Sequence, residues 1–114
     1  MLELLRERAF QLWEYHVSHG VLLIRSPAAP GVLTSIDIIF DGLEYVSAPR
    51  HLGRISIADP TSEEIRNLDQ AGVKRSPESH LWALRGEHGN SYIVAAALKI
   101  QEHSGDIFES PFGR

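Results

Sequence analysis

The stretch from Ile36 to Val46 constrains the fold of this chain more than any other part of it. Two runs rich in β-branched and aromatic residues, Ile36-Asp37-Ile38-Ile39-Phe40 and Leu43-Glu44-Tyr45-Val46, flank Asp41-Gly42. That dipeptide suits a type I′ hairpin turn, because both central positions of the turn need a positive φ. A two-residue turn sets Phe40 against Leu43, Ile39 against Glu44, Ile38 against Tyr45 and Asp37 against Val46. One face of the hairpin then carries Ile36, Ile38, Phe40, Leu43 and Tyr45 and must be core. The other carries Asp37, Ile39, Glu44 and Val46, half acid and half apolar.

The rest of the chain is read around that hairpin. Leu2, Leu5, Ala9, Leu12, Trp13 and His16 recur at three- and four-residue spacing, which predicts a helix over residues 2–17 that ends near Gly20. Residues 21–25 form a short, nearly continuous apolar run, as in a buried strand, and the two prolines at 27 and 30 make the next segment a loop. A further strand is expected over 54–58. Thr61 with Glu64 three residues later is a capping box, so a second, short helix starts there and closes at Gly72, with Ile65, Leu68 and Ala71 inward. Residues 80–86 alternate, residues 87–90 supply a turn, and residues 92–100 return as a strand whose uncharged first half is buried on both faces. A helix over 91–103, capped by Asn90, is the rival reading, since alanine favours helix. Strand is preferred because the Gly89-Asn90 turn follows an alternating partner of matching length. Ile107-Phe108 adds a short edge strand, and residues 110–114 fray. The expected fold class is therefore α+β: a single domain over residues 1–114, with a mainly antiparallel sheet of about five strands and both helices packed on one of its faces.

Composition then narrows the function. At 114 residues and 43% hydrophobic content the chain can bury one core but not two. It contains no Cys, which removes disulfides and thiolate metal sites, and its charged start does not read as a signal peptide; a cytoplasmic protein is expected. No apolar run approaches the length that spans a bilayer, so no membrane partner is expected. Fifteen Asp and Glu against eleven Lys and Arg leave a net charge of -4, without a basic stripe to neutralise phosphates, so no nucleic-acid partner is expected either.

Motifs for chemistry are sparse. His16-Val17-Ser18-His19 is the nearest approach to a metal motif, but it lacks a third ligand, and the other histidines match no ligand spacing. No activated nucleophile or phosphate-cradling glycine loop appears, and no cofactor is expected. Asp37 and Glu44 are the most acidic local pair, with no Lys or Arg between Arg25 and Arg50. Asp37, Ile39, Glu44 and Val46 thus form a candidate partner-binding face, acid for steering and apolar area for holding a basic protein. If a helix covers that face instead, Asp37 becomes a buried carboxylate that needs Arg25 or Arg54 as partner.

The leading expectation is a non-enzymatic, acidic protein-interaction domain of binding, adaptor or inhibitor-like type. Homodimerisation through an edge strand or the mixed hairpin face is compatible with it. The alternative is a small-molecule-binding domain or enzyme. It would have a His/carboxylate pocket between the sheet and the N-terminal helix, lined by Trp13, His16, His19 and Trp82.

Overall fold

A computed structural model of the chain describes residues 7–104. Its strands are β1 (Ala9–His16), β2 (Val21–Ser26), β3 (Ser35–Asp41), β4 (Tyr45–Ser47), β5 (His51–Ala58), β6 (His80–Gly86), β7 (Gly89–Ala95) and β8 (Ala97–His103). One 3-10 turn, Val17–His19, joins β1 to β2, and one helix, α1 (Ser62–Gln70), follows β5. The sheet order is β4-β7-β6-β5-β1-β2-β3-β8, with every pairing antiparallel. This corrects the α+β expectation. The described residues form a mostly antiparallel eight-stranded sheet with one helix, not about five strands with two.

The N-terminal helix is the larger part of that correction. Residues 9–16 are β1, paired with β2 on one side and β5 on the other. The pairing register slips between Leu12 and Glu14, so Trp13 is the extra residue of a bulge. Phe10 and Leu12 face the core before the bulge, and Tyr15 resumes the inner face after it, opposite Leu22. A period of two, interrupted by one residue, mimics helical spacing.

The second correction concerns Asp41-Gly42. Gly42 does adopt the positive φ that the turn reading requires, at 65°, but the chain bends there and does not fold back. β4 pairs with β7, and none of the predicted hairpin contacts forms. A Cβ on Gly42 would lie 2.8 Å from that of Ala96, the residue that separates β7 from β8. Two adjacent strands therefore bend at one level, with the Ala96 N–H donating to the Asp41 carbonyl at 2.8 Å and the Glu44 N–H to that of Val94 at 2.8 Å. Residues 35–47 and 92–103 run side by side through this shared corner. Because β4 and β8 stand at opposite ends of the sheet order, the sheet is rolled on itself and not open.

The interior is filled by rows of side chains in register. Leu12, Ile24, Ile38 and Ile100 make one row across four strands, and Leu22, Phe40 and Leu98 make the next. Fully burying an Ile or Leu stabilises by about 1.5–3 kcal/mol, so these rows dominate the cohesion of the fold. Trp82 packs edge-on against Phe40 with ring centroids 5.5 Å apart. β2 and β3 are also buried on their outer side, at Leu23 and Ile39, which explains their unbroken apolar runs. The strand reading of residues 92–100 holds, with a break at Ala96, and so does the capping box of α1, where Thr61 and Glu64 exchange both hydrogen bonds. Ile65 and Leu68 are half-buried and Ala71 is exposed. The expectations for residues 2–6, Ile107-Phe108 and 110–114 lie outside the described residues.

Candidate functional site

Arg25 and Asp37 face each other across β2 and β3 on the outer side of the sheet, and both side chains are 0% exposed. The guanidinium grips the carboxylate with two bonds, Nε to Oδ1 at 2.6 Å and Nη2 to Oδ2 at 3.1 Å. His103, on β8, places Nε2 2.9 Å from the same Oδ2. The same Nε2 lies 3.4 Å from Arg25 Nη2, so all three side chains meet at one point. The Trp13 ring lies over the guanidinium, 5.3 Å from centroid to Cζ, so the bulge of β1 puts an aromatic face on a buried cation. With both Asp37 oxygens engaged, the cluster acts as a clamp that ties β2, β3 and β8 in register at one end of the sheet.

That clamp is the base of the connection between β2 and β3. Within the connection, Ala29 and Val32 exchange both backbone hydrogen bonds, at 2.9 and 2.8 Å, across Pro30-Gly31. Gly31 has φ 83°, which with Pro before it is the chemistry of a type II turn. The flanks are stapled as well. Ala28 N–H donates to Ser35 Oγ at 3.0 Å, Arg8 Nη2 donates to the Thr34 carbonyl at 2.7 Å, and the Thr34 hydroxyl donates to the Glu102 carboxylate. Arg8 also reaches Ser26 through Nε and Nη2. Between these fixed points Leu33 is 84% exposed and Val32 is 37% exposed. The loop is therefore held from both sides while it presents two aliphatic side chains to water.

The residues singled out from sequence are dispersed. Asp37 and Ile39 are buried on β3, whereas Glu44 is exposed at the corner and Val46 is partly exposed on β4. The four share no face, because the chain bends at Gly42 and leaves β3 behind. Glu44 instead accepts the Ser76 N–H and hydroxyl, which hold its carboxyl below the usual carboxylate range. Trp13 lies on the outer side of the sheet and Trp82 packs with the inner core, so they do not wall one pocket. His16 and His19 meet edge-on at the β1–β2 turn, centroids 4.5 Å apart. With residues 9–16 forming a strand, the proposed pocket between sheet and N-terminal helix loses its second wall. Among the described residues no group of three or more His, Asp or Glu is placed to hold a metal ion, and no helix is long and apolar enough to cross a membrane.

Sequence reasoning passed over Val32 and Leu33. The available signal was an aliphatic pair directly after a Pro-Gly turn, where no core-facing period assigns it a role. Comparison of the chain with protein-family models, with curated proteins and with solved structures gives no match.

Proposed function

We propose that this chain is a non-catalytic protein-interaction domain that docks through its β2–β3 connection, with Leu33 as the anchor. The observation that carries this reading is the exposure of Leu33, 84%, on a backbone pinned on both sides. An exposed aliphatic residue on a surface is ordinary by itself. Here, however, the loop geometry is already fixed, so little ordering entropy opposes docking, and preorganisation of this kind favours affinity. A convex anchor fits a partner with an apolar pocket. The net charge of -4, together with exposed Glu102 beside the loop, favours a basic rim around that pocket.

Seating Leu33 in an apolar pocket stabilises the complex by about 1.5–3 kcal/mol, or roughly ten- to hundredfold in Kd. The test places a photo-crosslinking side chain at position 33, identifies the captured protein, and measures its affinity for purified wild type and Leu33→Asp. The substituted domain is expected to keep its melting temperature and to bind at least about tenfold more weakly. Equal affinity of the two forms would remove this loop as the docking surface.

A further inference from the structure

A second feature lies on the outer face of β5 and β6, on a different part of the sheet. Ser56 and Arg85 stand directly opposite each other in register, and Arg54, two residues before Ser56, shares their face. The three residues, with Ile55, line a shallow depression of about 260 Å³.

Each arginine is already paired with one carboxylate. Glu87 takes Nε and Nη2 of Arg54, at 2.8 and 2.7 Å, and also accepts the Arg54 backbone N–H at 2.9 Å. Glu64 takes Nη1 and Nη2 of Arg85, and Nη2 also reaches the Asp59 carbonyl at 3.4 Å. Among the described residues, Nη1 of Arg54 and Nε of Arg85 donate to no acceptor. Ser56 lines the same depression as both arginines. Two fixed guanidinium donors and one rotatable hydroxyl on one face match the several acceptor oxygens of a tetrahedral oxyanion. A planar carboxylate offers only two oxygens.

We propose that Arg54, Ser56 and Arg85 form a binding site for a phosphate group. Glu64 and Glu87 already balance the two arginines, so attraction from net charge is small and donor geometry sets the affinity. A lone phosphate ion is therefore a weak ligand. The same group carried on a protein or peptide binds more tightly, because its flanking residues add contacts along β5 and β6.

The test is an NMR titration of the amide resonances with inorganic phosphate, against sodium chloride at equal ionic strength. A phosphoserine peptide and its unphosphorylated twin follow. Saturable shifts confined to residues around 54–56 and 85, with phosphate and not chloride, are the expected result. Arg54→Gln, at a side chain 61% exposed, is expected to weaken binding about tenfold while the melting temperature holds; Ser56→Ala weakens it less. Tighter binding of the phosphopeptide than of inorganic phosphate identifies a phosphorylated protein as the source, and equal binding identifies the free ion. Shifts that match those with chloride, undiminished binding by Arg54→Gln, or equal binding of the unphosphorylated peptide would each overturn the proposal.

Discussion

Asp37 is bound on both oxygens, by Arg25 and by His103, in a place that water does not reach. Removing one member of such a pair leaves a desolvated charge behind, whereas replacing both with apolar groups removes the desolvation cost along with the attraction. Asp37→Ala is therefore expected to cost about 3–5 kcal/mol in urea denaturation, and the double substitution Arg25→Met, Asp37→Leu to recover most of that loss. A double variant as unstable as the single one would show that the ion pair itself, and not the avoidance of a stranded charge, sustains the clamp. Ser91 is the opposite case. Its hydroxyl is buried with no hydrogen-bond partner among the described residues, so Ser91→Ala is expected to stabilise by about 1 kcal/mol. The partnership of Arg25 and Asp37 was partly legible in the sequence, because each interrupts an apolar run that reads as buried strand. The third member, His103, was not, because it lies 66 residues from Asp37 and only the closing of the sheet brings it there.

At the scale of elements, legibility depended on whether a signal was local. The capping box of α1 could be read from Thr61 and Glu64 because both ends of the interaction lie within one turn. The bulge at Trp13 could not, since it exists only in relation to β2. The positive φ at Gly42 is legible in the sequence but the bend is not, because the same backbone angle serves a hairpin and a bend, and the choice is made by β7. Gly42→Ala sets a Cβ against Ala96 in a conformation that L residues avoid, and is expected to cost about 1–3 kcal/mol by thermal or urea unfolding. Glu64 carries a separate prediction. Arg85 foremost, then the Thr61 backbone N–H and the Tyr92 hydroxyl, hold its carboxyl far below the ordinary value of 4.5. The unfolded chain takes up that proton as pH falls through about 4.5 while the folded chain does not, so stability rises with pH in this window and is lost on acidification. Glu44 and Glu87, both also lowered, act with the same sign. Melting temperature is expected to fall below this pH, and less steeply in Glu64→Gln, which retains the capping geometry but cannot titrate. An unchanged slope in that variant would separate the acid sensitivity from α1.

Taken as a whole, the molecule joins neighbours in sequence and strangers in sequence with the same hydrogen-bond ladders. β1 with β2, β2 with β3 and β6 with β7 are local pairs, whereas β1 with β5, β4 with β7 and β3 with β8 bring distant segments together. The loop-closure entropy of the distant pairs must be met before their side chains interdigitate, which makes a topology of this kind slow to fold. Refolding from denaturant is accordingly expected on a time scale of milliseconds to seconds, not microseconds. The β3–β8 pairing joins the most distant of these segments and holds the Asp37–His103 contact together with the Ile38–Ile100 step of the core. If that seam forms after the transition state, Ile100→Val speeds unfolding and leaves the refolding rate nearly unchanged, while Ile24→Val, in the local β2–β3 pair, slows refolding. Stopped-flow measurements on the two variants decide the order. Slower refolding by Ile100→Val, with Ile24→Val acting on unfolding alone, would mean that the sheet closes first and its local hairpins consolidate afterwards.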